Sequence, residues 1–226
     1  MTARKNKSNE TVTFRATALA FDDSQVAAMR TAITESFERR DVFEASQGVN
    51  LATDSSYTRE RKRMLANDIA VARLFLALGV EPASVIERKV SESSMFNAKA
   101  LKKITEIARF SCGYGEKLER VTRAFIACAL IASDKGIATA TNATNRKFLC
   151  GADFSGQVTD ADLIAHLDEL RHRAMTSGAE TQSSQARNVL DVLTLGRIES
   201  VDKPRDAITI NAQHAFFADF RTAFMV

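Results

Sequence analysis

Helix-breaking residues are scarce along this chain, and their scarcity limits the folds that it can adopt. The 226 residues include only two prolines and nine glycines. Long stretches rich in Ala, Leu, Arg, Glu and Lys therefore run without a strong interruption, and these residue types favour helix. We expect a mainly α protein, and a hydrophobic fraction of 45% is enough to bury a core.

The first part of the sequence predicts a tail, a strand and a long helix. Residues 1–10 are polar and basic, and we expect them to be disordered. Residues 11–21 begin with the alternation of a candidate strand. Asp22 and the two polar residues after it can cap a helix that continues to about Ala45. Residues 46–56 are rich in small polar residues and predict a loop. The apolar stripe of the predicted helix consists of Val26, Met29, Ile33 and Phe37.

Three further helices are predicted before residue 115, so that residues 11–115 form a helical N-terminal region. The first covers residues 58–79 and ends at Gly79, a suitable C-cap. Pro82 can begin a short helix that runs through Glu92. Residues 97–110 predict an amphipathic helix with its lysines facing outward. The predicted inner face of helix 58–79 consists of Leu65, Ile69, Ala72, Phe75 and Leu76.

The second half of the chain starts with its most hydrophobic helix, residues 116–134, which we expect near the centre of a core. A mixed segment follows it, with one short helix near residues 145–149. Helices are then predicted at 159–173 and 181–196, joined by a turn that contains Gly178. Two short strands, 198–201 and 206–210, flank the basic residues Lys203 and Arg205. A final helix covers residues 212–224.

The helix at 181–196 ends in the pattern Leu190, Leu193, Gly196, Arg197 and Ile198, and a basic-tipped hairpin follows it. This order of a helix, a turn, a polar-fronted helix and a hairpin resembles the winged helix-turn-helix family of DNA-binding domains. The resemblance covers the last third of the chain, or residues 116–226 if the hydrophobic helix is the family's first. It implies a winged-helix-like C-terminal region with a short β-hairpin.

The resemblance implies that the helix at 181–196 enters the major groove of DNA. The amides of Gln182, Gln185 and Asn188 can pair with adenine, and the cations of this region can contact phosphates. The C-terminal residues expected to contact DNA are Thr181, Gln182, Ser184, Gln185, Arg187, Asn188, Arg197, Lys203 and Arg205.

A basic cluster in the N-terminal region offers additional phosphate contacts. It consists of Arg59, Arg61, Lys62 and Arg63, which fall within about one turn of a predicted helix. The net charge of +3 and the pI of about 8.8 permit a nucleic-acid partner without requiring one. The alternative is an ordinary solvated helix face.

Sequence patterns of catalytic and cofactor sites are largely missing. The chain has no Gly-rich phosphate loop and no nucleophile elbow, and we expect no cofactor and no bound metal. Glu87 and Lys89 have the spacing found in metal-dependent nucleases, with Asp68 upstream, but a solvated charge pair is the simpler interpretation. Tyr57 and Tyr114 lack a recognisable Arg/His cluster of the kind that supports a DNA-cleaving tyrosine, so we expect both to have structural roles.

The expected function is therefore non-catalytic DNA binding, with the N-terminal helices forming a homodimer so that two recognition helices meet successive half-sites. The alternative is a structural protein that assembles through apolar helices, with an exposed Phe-rich C-terminal helix as its docking face.

No apolar signal core follows the basic N-terminus, and no apolar run is long enough to span a membrane. These two observations predict a cytoplasmic protein without a membrane partner. The three cysteines are widely spaced and are interpreted as small buried residues.

Overall fold

A computed structural model describes residues 20–53, 55–87, 89–91, 94–95 and 98–113, and five single residues beyond them: 118, 119, 122, 126 and 165. The predicted tail at 1–10, nearly all of the candidate strand at 11–21 and the winged-helix hairpin lie outside the described residues. The described part is mainly α, as predicted. Its helices are α1 (Asp23–Ser46), α2 (Ser56–Leu65), α3 (Asp68–Leu78), α4 (Pro82–Ile86) and α5 (Ala98–Ser111).

Helix α1 begins and ends where its sequence predicts. Asp22 accepts a hydrogen bond from the backbone N–H of Gln25 at 2.9 Å, and the Gln25 side chain accepts one from the backbone N–H of Asp22 at 3.2 Å. This reciprocal capping box satisfies two backbone donors that the first turn would otherwise leave unpaired. The apolar stripe is buried at Val26, Ile33 and Phe37, so local periodicity determined which face of α1 meets the core.

The helix predicted over residues 58–79 is instead two helices, α2 and α3, separated at Asn67. In an unbroken helix the N–H of Asn67 would donate to the carbonyl of Arg63. Here the Asn67 side-chain amide donates to that carbonyl at 2.8 Å, and the backbone N–H turns to Met64 at 3.1 Å. Asn67 also accepts a hydrogen bond from Arg109 of α5 at 2.8 Å. An asparagine that competes for a backbone acceptor, held by a partner from another helix, explains the break.

The break moves the buried face of the second helix. A single helix would have placed Ile69 in the core, yet Ile69 is 40% exposed. The core residues of α3 are Ala70, Val71, Ala72, Leu74, Phe75 and Leu78. Gly79 ends α3 with a φ of 62°, the left-handed conformation that a C-cap needs and glycine tolerates.

Helix α4 begins at Pro82, as predicted, but ends at Ile86 and does not continue to Glu92. The carbonyl of Ile86 accepts a hydrogen bond from Arg40 of α1 at 3.1 Å. In a continuing helix that carbonyl would accept from the N–H of residue 90, so the contact with α1 favours termination. Strands β1 (Lys89–Ser91) and β2 (Ser94–Met95) then pair antiparallel, with an irregular register between Lys89 and Ser91.

Helix α5 matches its predicted span, and Leu101, Ile104 and Ala108 are buried as expected. The prediction that all of its lysines face outward is wrong, because Lys103 is only 6% exposed.

Helix α3 is the centre of the described core. It packs against α1 and α5, while α1 also covers α4 and α5 also covers α2. Leu118 and Ile126 are buried in the same structure, which agrees at these two positions with a core role for the hydrophobic segment 116–134. The described helices include none that is both long and apolar enough to cross a bilayer. The largest fully buried side chains are Phe37, Phe75, Ile33, Met64, Leu74, Ile86, Leu101, Ile104, Ile107 and Ile126.

Candidate functional site at helix α2

Of the residues predicted to contact DNA, the structure describes only the basic cluster. That cluster lies on α2, and its members differ in their surroundings. Arg59 and Lys62 are exposed, whereas Arg61 and Arg63 are half-buried. The predicted C-terminal contacts lie outside the described residues: Thr181, Gln182, Ser184, Gln185, Arg187, Asn188, Arg197, Lys203 and Arg205.

Positions three apart on a helix lie on the same side, so Arg59 and Lys62 form one cationic edge of α2. Lys62 has no carboxylate partner in the part of the chain that the structure describes. Arg59 approaches only the neighbouring Glu60, with 3.4 Å between its Nε and the Glu60 Oε1. At this distance the interaction is weak, and the other guanidinium nitrogens of Arg59 make no ion pair with the described residues.

Arg61 points toward α1 and is engaged there, which qualifies its predicted role as a phosphate contact. Its Nη2 lies 2.7 Å from the Oδ2 of Asp41. The other oxygen of Asp41 accepts a hydrogen bond from the Tyr57 hydroxyl at 2.7 Å. Asp41 thus joins α1 to two residues of α2. No local sequence signal identifies this carboxylate, because it lies sixteen residues before Tyr57.

Arg40 holds the other side of this network in place. Its guanidinium carbon lies 4.6 Å from the centroid of the Tyr57 ring, within cation–π range. The same guanidinium contacts Glu44 at 3.0 Å and donates to the backbone of Ile86. Arg40 is 2% exposed, so it is a structural cation and not a ligand contact.

Tyr57 is ruled out as a nucleophile by its surroundings. It is 5% exposed, and its hydroxyl hydrogen is committed to Asp41. Burial, and then the hydrogen bond to Asp41, raise the pKa of Tyr57 far above its ordinary value. The phenolate is therefore disfavoured, and the structural role expected for Tyr57 fits its contacts. Tyr114 lies outside the described residues.

An open cleft of about 690 Å³ lies beside α2. Its volume falls within the range of small-molecule sites. Its lining includes three cations, one carboxylate that is paired with Arg61, and the apolar residues Leu51 and Ala52. The lining residues are Asp41, Leu51, Ala52, Thr53, Thr58, Arg59, Arg61 and Lys62.

The two threonines of the cleft build its wall and do not supply donors. The Thr58 hydroxyl lies 2.6 Å from the carbonyl of Thr53, and the Thr53 hydroxyl donates to the carbonyl of Asn50 at 2.7 Å. Ser55 caps α2 by accepting from the N–H of Thr58 at 3.1 Å. These bonds hold the loop against the start of α2. Because they occupy the threonine hydroxyls, the side-chain donors left for a ligand in the cleft are those of the arginines and the lysine. The sequence did not identify the loop residues that line this cleft, Leu51, Ala52 and Thr53. They carry no charge and match no binding motif.

The nuclease interpretation requires Asp68 and Glu87 to approach one metal ion. The structure pairs Asp68 with Arg30 at 2.7 Å and Glu87 with Arg39 at 2.9 Å. The two arginines are nine positions apart on α1, or about 13 Å along its axis. Among the described residues, no group of three or more His, Cys, Asp or Glu side chains could hold a metal ion.

A second charged cluster lies at α5, where Lys103 and Glu106 are buried and Glu119 is about half exposed. The ammonium of Lys103 contacts three oxygens: Glu106 at 3.0 Å, Glu119 at 2.6 Å and the Thr122 hydroxyl at 2.7 Å. The backbone N–H of Glu119 in turn donates to Glu106 at 2.6 Å. Three donors therefore meet three acceptors, as a buried ammonium requires. This cluster joins α5 to the segment around residues 118–122.

Cys112 is half-buried and unpaired, and burial raises the pKa of its thiol. A thiol with a raised pKa is a poor nucleophile, which agrees with a structural cysteine, although Cys112 is less buried than predicted. The other two cysteines lie outside the described residues.

No protein family, curated protein or solved structure matches this chain. What the protein does must therefore be inferred from the chemistry of its own residues.

Proposed function

We propose that this chain is a non-catalytic DNA-binding protein that contacts phosphates through the cationic edge of α2. The observation that carries the proposal is the pair Arg59 and Lys62, exposed on one side of a helix. The described residues provide Lys62 with no carboxylate and Arg59 with only a weak contact. Cations left without partners at a surface are suited to phosphate neutralisation, the main sequence-independent part of DNA affinity.

The proposal assigns base recognition to the C-terminal region, on the strength of the winged-helix resemblance. Gln182, Gln185 and Asn188 would meet base edges, and Lys203 and Arg205 would contact the backbone from the wing. Phosphate contacts position a protein on DNA, whereas base contacts give it specificity. The proposal includes a cytoplasmic homodimer, in which two recognition helices reach successive half-sites.

The primary test is binding to mixed-sequence duplex DNA, followed by fluorescence anisotropy at several salt concentrations. We expect the logarithm of the association constant to fall linearly with the logarithm of salt, because each neutralised phosphate releases a counterion. Absence of binding at low salt would contradict the proposal.

The contribution of α2 is tested by the double variant Arg59→Gln/Lys62→Gln. Removal of two phosphate contacts should weaken binding to all sequences and reduce the salt slope by about 2. The matched control is Arg30→Gln/Arg39→Gln, which also removes two positive charges from an exposed surface. Its cations are already paired with Asp68 and Glu87, so the slope should change much less. Equal losses in both variants would mean that net charge alone governs binding.

The recognition helix is tested separately by Gln185→Ala/Arg187→Ala. This variant should lose affinity for a preferred sequence while keeping most of its non-specific, salt-dependent binding. Unchanged binding would remove the recognition-helix assignment and leave α2 as the remaining DNA contact.

Assembly through exposed apolar surface is the alternative function. Large exposed apolar side chains in the described part are Val42 on α1, Leu51 before α2 and Ile69 on α3. Because isolated exposed apolar residues are common on ordinary surfaces, these three do not favour assembly over DNA binding. The Phe-rich helix at 212–224, on which that alternative rests, lies outside the described residues. A measurement of mass in solution against protein concentration tests it directly.

A further inference from the structure

We propose that the cleft beside α2 binds a single phosphate ester group, and that Asp41 at its side weakens this binding. The inference rests on the proposed function only for the source of the phosphate, which would be the DNA backbone. The cleft itself selects the chemistry, and a free nucleotide carries the same group.

The donors available in the cleft match a phosphate. Lys62 has three N–H donors and no partner among the described residues, and Arg59 has its terminal nitrogens available. Arg61 also lines the cleft, with its Nη2 held by Asp41 and its Nε buried without a hydrogen bond. Guanidinium and ammonium groups together bind phosphate oxygens through charge-assisted hydrogen bonds. A neutral ligand would leave the lining with more cations than carboxylates, because among the described residues only Arg61 of the three cations has a close carboxylate, Asp41.

The apolar part of the lining suits the organic part of an ester. Leu51 is 37% exposed and lines the cleft together with Ala52. Both residues precede α2 in the chain and so are not part of the helix that carries the cationic edge. A cleft of about 690 Å³ has room for a sugar and base attached to the phosphate, while inorganic phosphate alone would leave most of it filled by water.

Asp41 is the lining residue whose removal should raise the affinity for a phosphate ester. It is the only carboxylate among the described lining residues, and it holds the Nη2 of Arg61 at 2.7 Å. A phosphate entering the cleft is repelled by Asp41 and must compete with it for Arg61. Asp41 also accepts from Tyr57, so it orders the cleft in the absence of ligand. Stability of the empty cleft and affinity for an anion are therefore opposed at this residue.

The experiment uses the full chain and two probes, thymidine monophosphate and thymidine, followed by ¹H–¹⁵N NMR. We expect the phosphate-bearing probe to shift the resonances of Thr53, Thr58 and Arg59 with a dissociation constant in the millimolar range. Thymidine should leave them unchanged. The absence of shifts with the monophosphate, or equal shifts with thymidine, would overturn the inference.

The decisive variant is Asp41→Asn, which keeps an oxygen acceptor for Tyr57 and removes the charge. Affinity for thymidine monophosphate should rise about fivefold, because a repulsive charge at the edge of an open cleft is lost. The matched control is Asp23→Asn, the same change about 27 Å away along α1, which should leave affinity unchanged. No increase for Asp41→Asn would overturn the role of Asp41.

Lys62→Glu keeps the inference testable if Asp41→Asn fails to fold, because Lys62 is exposed and free of carboxylate contacts among the described residues. This change should abolish the shifts caused by the monophosphate, and persistence of the shifts would contradict phosphate binding in the cleft.

Binding of duplex DNA separates the proposed DNA-binding function from the proposed phosphate site. If the monophosphate binds and the duplex does not, the cleft serves a free phosphate ester and the DNA function fails. If the duplex binds with equal affinity to wild type and Asp41→Asn, DNA binding stands and the cleft is not its phosphate site.

Discussion

Lys103 of α5 and Lys62 of α2 carry the same ammonium group in opposite surroundings. Lys103 is 6% exposed and contacts three oxygen acceptors, two of them on a segment more than fifteen residues away. Lys62 is exposed, and the described residues offer it no carboxylate. In sequence both belong to short basic clusters on amphipathic helices. The spacing of cations in the sequence therefore does not reveal whether a charge is structural or available to a ligand. This is decided by the carboxylates that the tertiary structure brings close from distant parts of the chain.

The two clusters also differ in what their charges do to the fold. Around Lys103, burial makes an unpaired charge very costly, so each partner depends on the others. Around Lys62, water solvates the ammonium and its removal leaves no unsatisfied group. Charge at α5 therefore contributes to the joining of segments, whereas the charge of Lys62 at α2 has no carboxylate among the described residues.

The largest expected effect comes from Lys103→Met. Loss of the ammonium leaves Glu106 buried without its cation, and we expect the free energy of unfolding to fall by about 3–5 kcal/mol. Urea denaturation followed by circular dichroism measures it. The matched control is Lys62→Met, for which a change within about 0.5 kcal/mol is expected because the site is solvated. Similar losses in both variants would break the comparison between the two clusters.

A smaller effect is expected from Tyr57→Phe. This variant tests whether the hydrogen bond between Tyr57 and Asp41 stabilises the fold, as the contacts of Lys103 are expected to do. The ring is retained, so its contact with Arg40 persists, while Asp41 loses one of its two donors. We expect a loss of about 1 kcal/mol, typical of a single hydrogen bond, because Arg61 still pairs with Asp41. Chemical denaturation measures the change. An unchanged free energy of unfolding would place the Tyr57–Asp41 bond among the solvated contacts.

The smallest expected effect is the pH dependence caused by Glu119. Partial burial acts against ionisation, but hydrogen bonds from Lys102 and Lys103 prevail and lower the pKa of Glu119 to about 2. Its pKa is lower in the folded state than in the unfolded state, where it is about 4.5. The stabilisation is therefore complete above about pH 4.5 and is lost as the pH falls toward 2. Because half of this side chain is exposed, we expect less than about 1 kcal/mol.

Glu119→Gln isolates that contribution. The variant should be less stable than the wild type at pH 6, and the difference between the two should shrink as the pH falls toward 2. Thermal unfolding at a series of pH values would show it. A difference independent of pH would mean that Glu119 acts through packing or its backbone contact with Glu106 and not through its charge.

Short-range signals determined where several helices of the described region begin and end. Asp22 supplies the cap of α1, Gly79 the left-handed end of α3 and Pro82 the first turn of α4. Each acts on backbone groups within four residues, so the sequence alone predicts it. The apolar stripes of α1 and α5 likewise follow from helical periodicity, as does the mainly α class of the described part.

Partners distant in sequence decided the features that local patterns do not contain. Asn67 breaks the predicted helix with support from Arg109, and Arg40 caps the end of α4 at Ile86. Asp41 forms an ion pair with Arg61, so this arginine differs from the other members of a basic cluster that looks uniform in sequence. The physical reason is the same in each case. A polar side chain can satisfy a local backbone group, a distant residue or water, and the lowest free energy among these is set only when the helices pack and exclude solvent.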